Sequence, residues 1–491
     1  MIWKVIYLLL YDRMHLTLKE YITNQGLNPH DMVKQYIDTA KKLNADYFSF
    51  IRFHEDYVDI HMDEFATRPL KSAPIGIKDI ILTQDYISSC GSKILKNYVS
   101  PYSATCFLNL EKNGWLMIGK TNMDEFAMWS TTETSYFGVT KNIYGIDRTP
   151  WWSSGWSAVA VASWAVIGAL WTDTWGSIRQ PAAWCGIVGI KPTYGMVSRY
   201  GVQSMASSLD QVGVMTQTVD DAEILLKAIA WFDPKDSQSD PRADDFVHSE
   251  FRIQNSELMK FKIGVPKEVL WEGLDPQIKK LFLSTIEKLR AAWIVVEDIS
   301  LPMLAYSVPM YYTLMPAEVS TNLARFDGIK FGLQSDSMDV ETLQKYYETI
   351  RSEWFGEEAK RRILLGTFVL SSANYEWYYL KAQKAREELQ AEFDTIFTTY
   401  DIILTPTVPE VAWKIGSRTN DPLKVYLADM YTIPANMWWL PAMSIPMGMV
   451  EDHTDGLIEM MPTGIQLMAQ KWSEDKIFGF GKYLENLMKS E

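Results

Sequence analysis

Two short loops and one lysine carry the residues of this sequence that could do chemistry. WWSSGWS (151–157) and DTWGSIRQPAAWCG (173–186) each set serine in a tight turn, and Lys78 lies in APIGIKDI, a run otherwise suited to a buried strand. A serine nucleophile needs a base, most often histidine. The six histidines are His15, His30, His54, His61, His248 and His453, so none falls between Met62 and Val247, the interval that holds both loops. A Ser-His-Asp triad there would have to recruit a distant histidine, and the sequence contains no HExxH metal motif. A lysine whose amine is kept neutral by burial can serve instead. Taken singly, each feature has a plainer reading: a strand-end lysine reaching solvent, or serines that cap a loop or helix.

The elements that must position these residues alternate in type. From about Pro74, the runs PIGIKDIIL, TCFLNLEKNG and WLMIGKTN alternate strand-like and helical patterns, which predicts an α/β fold. GVMTQTVDDAEILLKAIA reads as a strand end and then a helix with Asp220 and Asp221 in its first turn, favourable to the helix dipole. FKIGVPKEV, AAWIVVEDISLP and YDIILTPTVP read as further strands, and PQIKKLFLSTIEKLRAA, 341–362 and 375–397 as helices. Met32 to Leu43 has the period of an amphipathic helix, opened by Asn28 or by His30 and Asp31. Nothing resembling a flexible linker divides these patterns. The expected organisation is therefore one domain over 1–491, comprising an N-terminal helical region (1–70), a core with the serine and lysine motifs (71–230), a polar surface loop (231–260) and the remainder of the core (261–491).

Composition narrows the classes further. A chain of 491 residues with 47% hydrophobic and 22% charged residues has the balance of a soluble globular protein. Its net charge of -14 argues against a broad basic face for a phosphate backbone, so any RNA would be held by a partner. Three dispersed cysteines, Cys90, Cys106 and Cys185, form no disulfide framework and no zinc-ligand spacing, which fits a cytoplasmic setting and a site without metal. The opening MIWKVIYLLLY is too short to span a bilayer; it reads as a buried strand or helix start, or as upstream sequence before a start at Met14.

The longer motifs are recognisable. GIKDIILT, GKTNMDEFAMWSTTETSYFG, WWSSGWS, DTWGSIRQPAAWCGIVGIKPTYGMVSRYGVQSMASSLDQVG and YTIPANMWWLPAMSIPMG resemble the amidase-signature family, in its order, from about Leu18 to Leu487. SEWFGEEAKRRILLGTFVLSS and TNLARFDGIKFG are most similar to its branch of glutaminase subunits of tRNA-dependent amidotransferases. The resemblance implies a large mixed β-sheet covered by helices on both faces. It makes Lys78 the base, Ser153 a bridging serine and Ser177 the nucleophile, with the backbone amides of Thr174, Trp175, Gly176 and Ser177 forming the oxyanion hole. Asp173 and Arg179 would brace the loop. Arg362, with neighbouring Arg361 as an alternative, would grip the glutamine α-carboxylate, Asp429 its ammonium, and Tyr312 would line the pocket. Glutamine hydrolysis would need no cofactor. Two partner subunits are implied, a tRNA-binding kinase subunit that uses ATP and Mg2+ and a small clamp subunit, with Glu-tRNA(Gln) or Asp-tRNA(Asn) as acceptor. The alternatives are a stand-alone amidase for another small amide, or a non-catalytic assembly subunit.

One departure from the family pattern recurs. Trp151, Trp152 and Trp156 surround the bridging serine and Trp175 precedes the nucleophile where glycine is expected, as do Trp115, Trp129, Trp164, Trp171, Trp231, Trp271, Trp293, Trp354 and Trp439. Glycine permits positive φ and close backbone approach, which an indole does not. At about 1–3 kcal/mol each, so many misfits would exceed a whole domain's stability of about 5–15 kcal/mol. Nineteen tryptophans are many, and 27 glycines in 491 residues are fewer than the usual ~7%. The pattern predicts UGA codons, read as glycine in some bacterial lineages and as tryptophan in other codes. Trp184 and Trp413 are different, standing where the family tends to have aromatics.

Overall fold

The computed structural model describes residues 15–129, 132–150, 155–249, 253, 255–333, 342–417, 422–453 and 458–489. Trp151, Trp152, Ser153 and the alternative starts Met1 and Met14 lie outside the described residues. Among those described, the strands are β1 (Phe50–Phe53), β2 (Ala73–Lys78), β3 (Trp115–Thr121), β4 (Gly168–Asp173), β5 (Val188–Lys191), β6 (Gln211–Thr216), β7 (Lys262–Pro266), β8 (Val295–Ile299), β9 (Ile402–Pro406), β10 (Ala442–Asp452) and β11 (Glu459–Met468). They form one mixed sheet in the order β1-β3-β2-β4-β6-β5-β10-β11-β9-β7-β8. β2 runs parallel to both β3 and β4, and β7 runs parallel to β8 and β9. The pairs from β4 through β6, β5, β10 and β11 to β9 are antiparallel.

Burial explains why the central strands read as continuous apolar runs. Every residue of β2, β3, β4 and β6 is buried. Because successive side chains alternate between faces, both faces of the sheet are covered there. At the edge, β8 buries only Val296 and Ile299. Five helices matter for the site: α1 (Gly155–Ala162), α2 (Arg179–Cys185), α3 (Ser307–Asn322), α4 (Glu357–Leu370) and α5 (Lys381–Ile396). α1 packs on α2 and β4, while α3 packs against α4 and α5. No helix of the described residues is long and apolar enough to cross a membrane.

Several elements differ in extent from their sequence expectation. The N-terminal helix covers Pro29–Tyr47 and is opened by Asn28, whose side chain accepts from the His30 amide. The helical run at 341–362 is two helices, Leu343–Trp354 and α4, separated at Phe355 and Gly356. The polar stretch at 231–260 contains the helix Arg242–His248 and is tied to the core by its acids. Asp233 accepts from Ser198 (2.7 Å) and Asp236 pairs with Arg199 (2.9 Å). Side-chain acceptors thus hold a segment that has little apolar surface to bury.

The tryptophans divide by geometry. Trp164, Trp293 and Trp439 each stand two residues beyond a helix end with φ of 60°, 66° and 61°, the position where helices favour glycine. Trp129 has φ 89°, and Trp472, absent from the expected set, has φ 65°. The others among the thirteen that the structure describes do not have positive φ, so backbone conformation accounts for only part of the pattern. For Trp115, Trp156, Trp171 and Trp354 the misfit is polar: each buries its indole N–H with no hydrogen-bond partner among the described residues. Trp271 and Trp439 do find acceptors, in Tyr431 (3.0 Å) and the Ser208 carbonyl (2.8 Å).

Candidate active site

The site lies where β2 and β4 end side by side. Lys78 is the last residue of β2, and its register partner on β3 is Thr121. It has no exposed surface; its Nζ donates to Thr172 Oγ1 on β4 (3.0 Å) and lies 4.5 Å from the centre of the Trp171 ring. Burial pushes its amine down to about 7, with Asp124, Asp210 and Asp173 pulling the other way. A neutral amine is therefore well populated near pH 7. At the start of α1, Ser157 Oγ donates to Thr121 Oγ1 (2.8 Å), which brings the helix that follows WWSS beside Lys78's register partner. Ser153 itself lies outside the described residues.

From the end of β4 the chain turns through Thr174, Trp175 and Gly176 to Ser177 and enters α2. This turn is held by a buried ion pair. Arg179 binds both carboxylate oxygens of Asp173, each at 3.0 Å, and reaches Gln466 (2.6 Å), Asn436 (2.5 Å) and the Thr432 carbonyl (2.9 Å). Against the upward push of burial, Arg179 and Asn436 hold the Asp173 carboxyl below its usual range. Asp173 in turn accepts from the amides of Gly176 (2.8 Å) and Ile178 (3.2 Å). Of the four amides expected to hold an oxyanion, that of Gly176 is thus already committed, whereas the Ser177 amide has no partner among the described residues. Gly176 has φ +138°, and a Cβ there would stand 2.3 Å from Thr432 Oγ1, so only glycine fits. Asp210, from SSLDQVG, accepts from Thr174 Oγ1 (2.7 Å) and from the amides of Met205 and Ala206.

A second cluster gathers Arg362, Tyr312, Asp429 and Tyr426. Arg362, on α4, is buried over the Tyr312 ring (4.8 Å) and donates through Nε to Glu358 Oε1 (2.5 Å). Its Nη2 is buried with no partner among the described residues. Burial works against its charge, but Glu358 prevails and its basicity is raised. Arg361 points the other way, half exposed and paired with the outer oxygen of Glu358, so Arg362 is the inward member of the pair. Tyr312, on α3, donates its hydroxyl to Asp429 Oδ2 (2.8 Å), and Gln180 of α2 donates to Asp429 Oδ1 (3.3 Å). Burial raises the Asp429 carboxyl well above its usual range. Gln180 links this cluster to the helix that follows Ser177. Trp175 turns its ring onto Tyr311 (5.1 Å between centres), between the two groups.

Sequence reasoning passed over Asn436, Gln466, Thr432 and Gln180, although all four are buried polar residues in the network. Their signal was a polar side chain within an apolar stretch, as in TIPANM and PTGIQLM. Glu125 was missed as well: it accepts from the Gly356 amide (2.7 Å) at the start of α4, and so anchors the helix that carries Arg362.

A buried lysine beside a serine loop, on a sheet of this order, defines a class. The amidase family profile matches residues 31–478, and the chain belongs to the amidase family. Within it, the chain is 42% identical over 476 residues to the A subunit of glutamyl-tRNA(Gln) amidotransferase from Persephonella marina, covering 95% of this chain and 96% of that protein. It is 43% identical over 472 residues to the protein of the same name from Coxiella burnetii, covering 94% of each. The crystal structure of the corresponding glutamyl-tRNA(Gln) amidotransferase chain from Thermotoga maritima superposes with a TM-score of 0.77 at 36% identity, covering 95% of this chain and 93% of that one.

Proposed function

We propose that this chain hydrolyses the side-chain amide of glutamine as the ammonia-supplying subunit of a tRNA-dependent amidotransferase. Lys78 carries the reading: a lysine without exposed surface, its amine brought close to neutrality, set beside the strand that delivers Ser177. In the relay, neutral Lys78 takes a proton from Ser153, Ser153 takes one from Ser177, and the Ser177 oxygen attacks the amide carbon. The proton returns along the same path to the leaving nitrogen as the C–N bond breaks. Ammonia departs, and a γ-glutamyl ester remains on Ser177. Water, deprotonated by the same relay, cleaves the ester to glutamate and restores the serine.

The amides of Thr174, Trp175 and Ser177 stabilise the oxyanion, while that of Gly176 keeps the loop in shape through Asp173. Arg362 Nη2 meets the α-carboxylate of glutamine, and the arriving α-ammonium offsets the burial of Asp429 and draws it into its charged form, with Tyr312 and Gln180 holding its oxygens. The partner subunits hold the misacylated Glu-tRNA(Gln) or Asp-tRNA(Asn) and activate it with ATP and Mg2+. The net charge of -14 supports leaving the RNA to them.

Glutaminase kinetics on the assembled enzyme test the assignment. Arg362→Ala and Asp429→Ala are expected to lower kcat/KM on glutamine by about 100-fold or more, each losing a charge-assisted contact. Hydrolysis of butyramide, which lacks both α groups, should be unchanged by the same substitutions. Equal losses on both amides would remove the glutamine assignment and leave a general amidase.

A further inference from the structure

Between Asp124 and Thr134 the backbone is strained more densely than elsewhere among the described residues. Phe126, Ala127, Trp129 and Thr132 all have positive φ (49°, 61°, 89° and 60°). Thr132 is the most demanding of them, because a β-branched side chain tolerates that region least, and it is fully buried. Such a conformation persists only where the surroundings over-determine it. Asp124 supplies the constraint here. Its carboxylate has no exposed surface; Oδ2 accepts from the Thr132 amide (3.2 Å), and Oδ1 accepts from the Thr134 amide (3.0 Å) and hydroxyl (2.7 Å).

The side chain held in this way touches residues on both sides of Ser153 in the sequence. Thr132 Oγ1 lies 3.2 Å from Thr149 Oγ1, and Thr132 Cγ2 stands 2.8 Å from where a Cβ on Gly155 would be. Asp124 itself follows β3 closely, just beyond Thr121, which is the register partner of Lys78 and accepts from Ser157 Oγ. We infer that Asp124 is a positioning residue of the proton relay: its carboxylate locks the Thr132 turn against Thr149 and Gly155, which flank the Ser153 segment, and acts as a counter-charge to Lys78. The inference rests on the proposed function. The charged groups that act on Lys78 are Asp124 first, then Asp210 and Asp173, with the Cys90 thiol, while Glu133 acts on Asp124. Asp173 is already answered by Arg179. A carboxylate at 124 favours the ammonium form of Lys78. Burial raises that carboxyl to about 7, so part of its charge is already lost where Lys78 titrates.

The test is the pH profile of kcat/KM for the assembled enzyme, on glutamine and on butyramide. Asp124→Asn keeps an acceptor for Thr134, turns an N–H toward the Thr132 amide and removes the charge. It is expected to lower the plateau kcat/KM by about tenfold or more on both amides alike. Its acid limb should move down by about half a pH unit, because Lys78 without this counter-charge stays neutral at lower pH. Thr132→Val keeps shape and charge but removes the hydroxyl that meets Thr149; it should lower the plateau on both amides by about threefold or more, with the limb unmoved. An acid limb that stays put or moves up in Asp124→Asn would overturn the inference, as would a loss confined to glutamine. Thr132→Val within about twofold of the parent would overturn it even if Asp124→Asn failed to fold. A parent that hydrolyses butyramide but not glutamine would count against the proposed substrate alone, and both variants would still be read on butyramide.

Discussion

Two neighbouring regions of the site treat buried polar groups in opposite ways. Around Ser177, the buried charges of Asp173 and Arg179 meet each other, and Asn436, Gln466 and two backbone amides complete the network. Around Lys78 and α1, Trp156 and Trp171 bury indole N–H groups that meet no partner among the described residues. An unsatisfied buried donor costs about 1–3 kcal/mol, and native folds carry few of them. The contrast extends outward: Trp184 and Trp413, the two placed where the family has aromatics, both donate to Glu410, at 2.8 and 2.9 Å. Tryptophan that the fold is built around has its N–H answered; tryptophan in a glycine position often does not. That difference adds a physical argument for the UGA interpretation to the motif resemblance that sorts the two groups.

The largest effect should come from breaking the satisfied side. Arg179→Met leaves Asp173 charged and buried without its cation, and should cost about 3–5 kcal/mol in urea unfolding. A loss below about 1 kcal/mol, the scale of an exposed pair, would mean that the network is not what holds the turn. Next, the two groups of tryptophans should respond with opposite sign. Trp184→Gly should destabilise by about 3 kcal/mol or more through lost packing, whereas Trp164→Gly and the exposed Trp293→Gly should each stabilise by about 1 kcal/mol by relieving a left-handed backbone. Peptide mass spectrometry of the protein from its own cells should then find glycine at 164 and 293 and tryptophan at 184. Loss of stability in all three variants would dissolve the distinction.

The smallest effect is on pH dependence. Lys78 must be neutral to act, so kcat/KM should fall about tenfold per pH unit below its depressed value of about 7. Burial is the main cause of that depression, and the Trp171 ring is part of the burial. Trp171→Gly admits water, favours the ammonium form and should move this acid limb upward by about half a pH unit. A downward shift would show that the indole acts on Lys78 through something other than desolvation.

Much of the architecture was legible because strand and helix periods are local. The continuous apolar runs of β2, β3 and β9 and the amphipathic period of Pro29–Tyr47 follow from residue order alone. The break of the 341–362 helix was not legible, because the Gly356 amide is capped by Glu125, 231 residues earlier in the chain. The same holds for the brace of Asn436 and Gln466 on Arg179, which joins residues 257 and 287 positions apart.

By itself the sequence determined the chemistry available: no histidine near the serine loops, Lys78 in a strand-like apolar run, and long motifs that identify the family. It also set tryptophan where the family pattern has glycine, although among the described residues only Trp129, Trp164, Trp293 and Trp439 of that set prove to stand in a left-handed backbone. Only the tertiary structure decided which groups are charged, which of two adjacent arginines turns inward, and which amide near Ser177 is already taken. The physical reason is that basicity and hydrogen-bond availability are properties of surroundings. A lysine is ordinary in a chain and becomes a base only when packing from distant segments removes its water.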